Sequence, residues 1–312
     1  YQVQDYLFLA NDERGFAKVN REYNSRTSLG FQSTLYNKTD VSKAIGSNRY
    51  HGALRYPGTF GINAFLYAQG VKEKLERRGV PVFENTNVMD IDKDGVRVDN
   101  GHRINAKNVA ICCDRFAPDL GKLRKDVYHV QTFLTISKPI GEAQAKKFFP
   151  GGNVMVADSN MIYQYFRVTG DHRLLLGGGT IMGTYAPRED HNPRALVRKL
   201  YRYLDTYFPG HGVEFEYAWP GMLGVAKDLV PIAGQDPNIP NHYYVAAATG
   251  LAWAQGLGGY IAEKIANGNS EYDDYFSPTR KFPYDPLAKF FQSFIGTRAI
   301  FAFSHAFVKY LR

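Results

Sequence analysis

The chain contains two cysteines, Cys112 and Cys113, which lie side by side in the segment NVAICCDRFAPDLG and are followed by Asp114 and Arg115. Neighbouring thiols beside charged side chains are typical of a redox centre or of half a metal site. Adjacent cysteines rarely bridge to each other, because the disulfide is strained at that spacing. The alternative is that both are small, mildly apolar residues at the end of a buried strand. These residues on their own leave both interpretations open.

A second group of residues that could do chemistry lies in the segment MIYQYFRVTG. Tyr163, Tyr165 and Arg167 alternate there, and alternate residues of a strand lie on one face. An arginine beside tyrosines can bind a carboxylate through charge-assisted hydrogen bonds. The pattern is therefore compatible with a carboxylate-binding face and equally with an ordinary polar cluster on a sheet surface.

Short motifs that announce a known chemistry are missing from this sequence. A dinucleotide site shows G-x-G-x-x-G after a strand, but the segments GLGGYI and GGGTIM both lack the final glycine. A P-loop, a G-x-S-x-G elbow and an H-E-x-x-H motif are also missing. The 8 histidines are scattered without a ligand spacing, so no metal site is predicted.

Composition is that of an ordinary globular protein whose 312 residues suffice for one large or two medium domains. Two cysteines make no disulfide framework, and no stretch has the pattern of a transmembrane helix or a signal peptide. We therefore expect a cytoplasmic protein. The net charge of +8 lies mostly after residue 278 and the rest is nearly balanced, which argues against nucleic acid as a partner.

Residues 1–49 predict strands and a small helix, and a clear order of elements begins at His51. The segment GINAFLYAQGVKEKLERRG predicts an amphipathic helix that ends at Gly79, and VPVFENTNVMDID predicts two short strands after it. The pairs Asp94-Gly95 and Asn100-Gly101 predict hairpin turns. NVAICC is a compact apolar strand. Helix, strand, hairpin and buried strand in this order indicate a nucleotide-binding α/β domain.

The rest of the chain changes character twice. Residues 123–218 are rich in aromatic strand-like segments around a helix near 193–208, which indicates a separate lobe with a mixed sheet. Residues 219–280 return to an α/β pattern, with a buried strand in NHYYVAAATG and a helix in LGGYIAEKIANG that ends at Gly268. Residues 281–312 predict an amphipathic helical tail, with apolar residues at Leu287, Phe290, Phe291, Phe294 and Ile295.

Two long segments carry a resemblance to a known family. The run from His51 to Gly121 resembles the middle of the flavin-dependent D-amino-acid oxidase (DAO) superfamily, which includes glycine, sarcosine and gamma-glutamylputrescine oxidases. The segment AWPGMLGVAKDLVPIAGQDPNIPNHYYVAAATGLAWAQGLGGYIAEKIANG resembles the closing signature of the same superfamily. The tail FPYDPLAKFFQSFIG is similar in style to the final helices of its glutamylputrescine branch. The resemblance covers nearly the whole chain.

The resemblance implies a fold class and a domain division. The fold is expected to be α/β of the mixed α+β kind, with a flavin domain of the FAD/NAD(P)-binding type and a mixed or antiparallel β-sheet substrate domain. The flavin domain is expected at 50–122 and 219–280, the substrate domain at 1–49 and 123–218, and the helical tail at 281–312. In this superfamily G-x-G-x-x-G lies at the N-terminus. The chain is therefore expected to be a C-terminal fragment that lacks the first βαβ unit and is inactive alone.

The resemblance also implies which residues meet non-covalently bound FAD. Val88 matches a valine whose backbone meets the adenine, and Asp228 matches an aspartate that shapes the loop of the closing signature. Cys112, Cys113 and Asp114 fall where the family has a small step against the cofactor, and Asp114 departs from that pattern. The loop and helix start expected under the flavin ring comprise Gly250, Leu251, Ala252, Trp253 and Ala254.

The substrate pocket is expected to hold Tyr163, Tyr165 and Arg167. Leu223 stands where amino-acid oxidases of the family have a carboxylate-binding arginine, so an amine or an N-substituted amino acid is favoured over a free α-amino acid. The segment LLLG (residues 174–177) lacks the lysine that sarcosine oxidases use near the flavin for oxygen, which leaves the electron acceptor open.

The expected reaction is the oxidation of a C–N bond by hydride transfer from a small-molecule amine to the flavin, followed by hydrolysis of the imine. The cofactor carries the difficult chemistry and the protein positions it. Two alternatives remain. One is a DAO-fold binding or assembly subunit with impaired catalysis. The other is a peripheral membrane flavin dehydrogenase whose tail at 281–312 contacts lipid or a partner subunit.

Overall fold

The computed structural model describes residues 1–185, 188–268, 270–282 and 285–310, and leaves aside the side chains of 181, 182, 285–289, 291–295, 309 and 310. The chain divides into two compact units. Unit 1 comprises 1–63 and 131–221, and unit 2 comprises 64–130 and 222–312. The division of the chain into a flavin domain and a substrate domain stays a prediction.

Unit 1 is built around an eight-stranded sheet with the strand order β14-β10-β13-β12-β11-β2-β4-β3. The pairing of β2 with β11 is parallel, whereas the pairings β10–β13, β11–β12, β12–β13, β2–β4 and β3–β4 are antiparallel. The strands are β2 (Asp5–Ala10), β3 (Thr34–Asn37), β4 (Gly52–Tyr56), β10 (Val127–Pro139), β11 (Val154–Asp158), β12 (Tyr165–Val168), β13 (Arg173–Gly178) and β14 (Phe215–Ala226). Two short strands, β1 (Gln2–Val3) and β5 (Phe60–Gly61), pair separately.

Helices cover parts of both faces of this sheet. In α5 (Arg194–Tyr207) the buried residues Leu196, Leu200, Tyr203 and Leu204 recur at helical spacing and join the main core of the unit. On the opposite face α1 (Glu13–Ser28) begins at Asp12, whose carboxylate accepts a hydrogen bond from the Gly15 amide at 2.6 Å. The remaining helices of unit 1 are a 3-10 turn at Val41–Lys43, α3 (Gly141–Phe148) and α4 (Ile181–Thr184).

Unit 2 contains two small sheets and most of the remaining helices. The first sheet has the order β15-β16-β9, with β16 parallel to β9 and antiparallel to β15. Leu257, Tyr260 and Ile261 of helix α6 pack against it, together with Phe276. The elements are α2 (Ala64–Arg77), β6 (Val88–Asp92), β7 (Gly95–Val98), β8 (Arg103–Asn105), β9 (Val109–Ile111), a 3-10 turn (Asp114–Phe116), β15 (Ile232–Gln235), β16 (His242–Ala246), α6 (Leu251–Asn267), α7 (Asp273–Phe276) and α8 (Asp285–Tyr310).

The second sheet of unit 2, β6-β7-β8, contains both predicted hairpins. Asp92 pairs with Gly95 across the first turn, and the Val98 amide bonds to the His102 carbonyl across the second. The prediction of two strands in 80–92 is wrong, because 80–87 forms no strand and only β6 follows. Pro81 cannot donate to a ladder and Asn85 adopts a left-handed φ of 53°, so a strand cannot run through this segment.

Helix α2 occupies most of the predicted amphipathic segment, yet it has no buried residue. Its apolar side chains, including Phe65 at 69% and Leu66 at 64% relative exposure, lie at the surface of the described chain. The pattern predicts the helix correctly, and its apolar face is exposed within the described residues.

The tail packs on unit 2 through its second half. Gly296 interrupts α8 with a φ of 82° and a ψ of 155°, so the element consists of two helices with a sharp kink between them. Phe301 is fully buried, and the His305 ring, also buried, bonds to the Ala226 carbonyl at 2.8 Å. Of the predicted apolar stripe, Phe290 is exposed, and the side chains of Leu287, Phe291, Phe294 and Ile295 lie outside the described set.

The fold is mixed α/β with several sheets, as the sequence predicts. Among the described residues no helix combines the length and the apolar character that crossing a membrane requires. In the same part of the chain, no three His, Cys, Asp or Glu side chains come together in a way that could hold a metal ion.

Candidate functional site

The start of helix α6 is an open helix N-terminus in unit 2. Gly250 precedes the helix with a φ of 134° and a ψ of 158°, a conformation that is accessible almost only to glycine. No side chain caps the helix, so its first amide groups have no partner within the helix and present the positive end of its dipole. A Cβ atom at Gly250 would meet no atom within 4 Å. A polar or anionic group can therefore approach this backbone directly.

Apolar side chains surround that helix start. Residues 251–256 are all exposed, and Leu251 and Trp253 are the large apolar ones among them. Trp253 packs edge-on against Phe276 at 5.7 Å between ring centroids, and Gln255 accepts a hydrogen bond from the Tyr67 hydroxyl of α2. Exposed apolar groups beside unpaired amides match a planar ligand with a polar edge.

Cys112 and Cys113 follow the end of β9. Both thiols are free; Cys112 is exposed and Cys113 is half-buried. Partial burial raises the pKa of both thiols above the usual value, which disfavours the reactive thiolate form. The geometry therefore gives the pair no activated nucleophile, and both residues lie where a strand gives way to a loop.

Asp114 has a distinct structural position. Its backbone adopts a left-handed φ of 46°, and its carboxylate accepts hydrogen bonds from the Gly224 amide at 2.6 Å and from the Ala248 amide at 3.2 Å. Ala248 lies two residues before Gly250. The side chain thus joins the end of β9, the strand β14 and the loop that leads into α6.

Val88 and Asp228 have their contacts elsewhere in unit 2. Val88 begins β6, pairs with Val98 and remains 37% exposed. The Asp228 carboxylate forms a bidentate ion pair with Arg280, at 2.9 Å to Nη2 and 3.0 Å to Nε, and also accepts from the Val230 amide at 3.0 Å. Asp228 therefore has the contacts of a loop-shaping residue.

These residues of unit 2 suit FAD in chemical type. The unpaired amides at the start of α6 can donate to the flavin edge, where negative charge develops on reduction. The exposed side chains of Leu251 and Trp253 offer apolar surface beside these amides. Gly250 leaves room for a ring system to approach the backbone.

Unit 1 carries the second group of predicted site residues. Tyr165 and Arg167 lie on β12, and they share the sheet face opposite to Phe166 and Val168, which are in the main core. Tyr163 lies two residues before the strand, and its ring centroid is 5.7 Å from that of Tyr165. The structure therefore brings the two tyrosine rings together.

The ring of Tyr165 is held by its neighbours on two strands. Its hydroxyl is 2.9 Å from the Thr132 hydroxyl of β10. A Cβ atom at Gly177, its partner on β13, would lie 2.3 Å from the ring. Only glycine allows this close approach. Burial raises the pKa of both Tyr163 and Tyr165, so both phenols stay protonated near neutral pH.

Arg167 is a half-buried cation with little to satisfy it. Its Nη1 lies 3.5 Å from the Gln4 side-chain oxygen, at the limit of a hydrogen bond. Among the described residues no carboxylate lies within ion-pair distance of it, whereas Arg55 and Arg173 of the same unit are paired with carboxylates. Burial lowers the pKa of the guanidinium, which nevertheless stays charged at neutral pH. The site can therefore accept an anionic group.

Sequence reasoning missed several neighbours of this face. Gln4 is buried and donates to the Val168 carbonyl at 3.0 Å, which fixes the oxygen that faces Arg167. Tyr6 of β2 lies near Tyr163. Burial, and to a smaller extent this neighbour, raise the pKa of the Tyr6 phenol. Thr132 and Gly177 hold Tyr165 as described above. These contacts join residues far apart in the sequence, and no local pattern indicates them.

A cavity of about 490 Å³ lies elsewhere in unit 1. It is formed by residues in 42–49, 144–148 and 207–211, and the residues that line it include none of the predicted site residues. The predicted face at β12 is therefore separate from this cavity.

A model of the family "FAD dependent oxidoreductase" (DAO) matches residues 1–264. The gamma-glutamylputrescine oxidoreductase of Escherichia coli (strain K12) is 27% identical over 297 residues, which are 91% of this chain and 67% of that protein. The probable oxidoreductase OrdL of Haemophilus influenzae is 25% identical over 280 residues, which are 85% of this chain and 62% of that protein. The chain thus spans about two thirds of the length of these curated relatives.

Solved structures with a similar fold include proteins named as a dehydrogenase and an oxidase. The L-proline dehydrogenase of P. horikoshii has a TM-score of 0.77 at 18% identity, covering 89% of this chain and 76% of that chain. The glycine oxidase of Geobacillus kaustophilus has a TM-score of 0.74 at 19% identity, covering 90% of this chain and 75% of that chain. At this level of identity the likeness is one of fold.

Proposed function

The chain belongs to the DAO family of FAD-dependent oxidoreductases, and on that premise we propose that it oxidises a C–N bond of an amine or an N-substituted amino acid. The names of the similar proteins denote gamma-glutamylputrescine, L-proline and glycine. Each of these compounds contains a C–N bond next to an oxidisable C–H and also carries a carboxylate. A substrate of this chain is proposed to share both features.

The observation that carries this proposal is the state of Arg167. It is half-buried, and its one described hydrogen bond is a 3.5 Å contact with a neutral amide. A charge in such a position gains most from an anionic partner that enters with the ligand. We assign the substrate carboxylate to Arg167, and the walls beside it to Tyr163 and Tyr165.

Leu223 refines the choice of substrate. It lies half-buried in β14, where its side chain can offer no charge. A free α-amino acid held by an arginine from this strand is therefore disfavoured. An amine whose carboxylate lies farther from the reacting carbon, or an N-substituted amino acid, fits the described residues better.

FAD is proposed to bind non-covalently to unit 2, and when bound it supplies the two-electron oxidation of the C–N bond. The loop and helix start at residues 250–254 would hold the flavin edge through the amides of residues 251–253, because the amides of Gly250 and Ala254 already bond to the carbonyls of Ala248 and Gly250. Val88 would contribute its backbone to the adenine. Cys112 and Cys113 would form part of the wall at the end of β9. Asp228, paired with Arg280, would keep the neighbouring loop in shape.

The protonated phenols of Tyr163 and Tyr165 suit this reaction. A phenol is neutral near pH 7 and the pKa of both side chains is raised further, so they can pack against a substrate and donate hydrogen bonds without competing for its amine proton. Removal of hydride from a C–H beside nitrogen needs no strong base on the protein.

The test is flavin binding followed by a substrate panel. The full-length product of the gene that encodes this chain is purified and examined for the visible absorbance of flavin, and FAD is added where none is bound. It is then assayed with primary amines, N-substituted amino acids and free α-amino acids, using oxygen and an artificial acceptor in turn. Turnover of carboxylate-bearing amines is expected, and failure to take up FAD refutes the proposal.

Two outcomes would favour the alternatives from the sequence. Uptake of FAD without turnover of any compound would favour a binding or assembly subunit. Flotation of the protein with vesicles of anionic lipid would favour the peripheral membrane dehydrogenase. Phe301 and His305 are buried on unit 2 and unavailable to lipid, whereas Phe290 and Phe303 of the same tail are exposed.

A further inference from the structure

The Asp114 side chain connects its own segment with two others of unit 2 that are distant in the sequence. Its carboxylate accepts from the amide of Gly224, 110 residues later, and from the amide of Ala248, 134 residues later. A carboxylate that accepts backbone amides forms charge-assisted bonds, which are shorter and stronger than neutral ones. The distance of 2.6 Å between the Gly224 amide nitrogen and the carboxylate is short, as expected of such a bond.

The surrounding backbone is adapted to this arrangement. Asp114 itself has a φ of 46°, and Ala247, which directly precedes one of its donors, has a φ of 55°. Left-handed conformations are unfavourable for residues with a Cβ atom, and they persist where other contacts over-determine them. Two such residues on either side of one hydrogen bond indicate a constrained junction.

Gly224 complements the carboxylate. A Cβ atom there would lie 2.9 Å from Asp114 Oδ2, 3.0 Å from Oδ1 and 3.0 Å from the Arg115 amide nitrogen. These separations are shorter than real Cβ contacts, so a larger residue at 224 would displace the carboxylate from its donors. The position of the Asp114 carboxylate therefore requires glycine at 224.

We propose that Asp114 is a positioning residue, which fixes the loop 247–250 and thereby the open N-terminus of α6 through backbone amides. This inference rests on the proposed function, in which the start of α6 holds the flavin edge. Asp114 would act on FAD through the position of that backbone, with its own oxygens engaged by Gly224 and Ala248. The family resemblance leads us to expect a small residue at 114, and the two hydrogen bonds to the Gly224 and Ala248 amides explain why an aspartate stands there instead.

The test compares Asp114→Asn and Asp114→Ala with the matched control Asp119→Asn. Asp119 is an exposed aspartate five residues away, so its replacement makes the same charge change without altering the hydrogen bonds to Gly224 and Ala248. Asparagine at 114 keeps the shape but turns one donor group toward an amide, and alanine removes both acceptors. Three quantities are measured: the FAD dissociation constant by flavin fluorescence, the absorbance bands of the bound flavin, and the hydrogen-exchange rates of the Gly224 and Ala248 amides without FAD.

Both Asp114 variants are expected to exchange these two amides at least about tenfold faster and to bind FAD at least about tenfold more weakly, since each bond to a charged group is lost or reversed. The flavin absorbance bands of the loaded variants should also shift relative to wild type. Asp119→Asn should match wild type in all three measurements. Gly224→Ala keeps the aspartate at 114 but pushes its carboxylate away from the two amides, so it should reproduce the exchange and binding changes.

The results separate three cases. Weaker FAD binding with unchanged exchange at Gly224 and Ala248 would mean direct contact with the cofactor and would overturn the positioning role. Faster exchange with unchanged FAD affinity would overturn it as well. If the wild-type protein takes up no FAD, the proposed function fails. The exchange comparison still decides whether Asp114 holds the Gly224 and Ala248 amides. Should Asp114→Ala not fold, Asp114→Asn and Gly224→Ala carry the test.

Discussion

Replacement of Arg167 by methionine should weaken substrate binding while leaving the fold intact. Methionine keeps the length and the apolar stem of the side chain but removes the charge. In the described structure the guanidinium has a 3.5 Å contact with Gln4 as its one described hydrogen bond, and burial lowers its pKa. The native fold thus gains little from this charge, so the free energy of unfolding should change by less than about 1 kcal/mol.

The effect on substrate should be much larger. A hydrogen bond to a charged group contributes about 1.5–3 kcal/mol, and each 1.4 kcal/mol corresponds to about a tenfold change in a binding constant. Loss of the contact between Arg167 and a substrate carboxylate should therefore raise KM about 10–100-fold. Because the contact is made in the ground state and in the transition state alike, kcat should fall much less.

The assay is steady-state kinetics on a carboxylate-bearing amine and on the same amine without its carboxylate. The raised KM should appear with the first compound and not with the second. Arg173→Met is the matched control, since Arg173 lies on the neighbouring strand β13 and pairs with Glu216 and Asp171. An unchanged KM in Arg167→Met, or an equal rise for both compounds, would refute the assignment of Arg167 to the carboxylate.

Three further predictions concern the fold that carries the site. Arg280→Met should lower the free energy of unfolding by about 3–5 kcal/mol in urea titrations, because it leaves the buried Asp228 carboxylate unpaired; a loss below 1 kcal/mol would contradict the pairing. Gly250→Ala should cost about 1–3 kcal/mol, since a φ of 134° is strained for alanine. Gly70→Ala, on the exposed helix α2, should stabilise by about 0.5–1 kcal/mol as its control. Burial raises the pKa of Tyr56 to about 12 from 10.0, so the unfolded state loses this proton first and stability should fall as pH rises from 10 to 12; Tyr56→Phe should show a smaller fall in urea titrations across that range.

Local sequence patterns predict much of the secondary structure. The hairpins at Asp94-Gly95 and Asn100-Gly101 follow from turn chemistry, because few dipeptides other than these accept such backbone angles. Helix α5 follows from apolar residues at helical spacing. The strand expected in 80–87 fails because Pro81 and Asn85 outweigh the apolar residues between them.

The contacts that define the candidate site are of another kind. The partners of Asp114 and Arg167 lie more than 100 residues away in the chain, and no periodicity encodes such distances. The sequence does single out Asp114 as a departure from the expected small residue. Only the fold shows that its carboxylate is engaged by the Gly224 and Ala248 amides. The pairing of Asp228 with Arg280 likewise cannot be predicted, because it depends on how the fold brings together two segments 52 residues apart.

Burial is the other property that patterns describe poorly. The alternation of Tyr163, Tyr165 and Arg167 predicts a common face, but it does not indicate that Gln4 and Thr132 complete its surroundings. The amphipathic pattern of α2 likewise predicts a helix without indicating what its apolar face meets. Both depend on segments that are distant in the sequence.

The most direct test of the central claim is anaerobic reduction of the flavin. The full-length gene product is loaded with FAD, freed of excess cofactor and mixed without oxygen with a carboxylate-bearing secondary amine, while the visible flavin absorbance is followed. If the chain oxidises a C–N bond through bound FAD, the flavin absorbance bleaches and the amine is converted to the product of imine hydrolysis. A protein that holds FAD and keeps its full absorbance with every amine and N-substituted amino acid tried would contradict this claim.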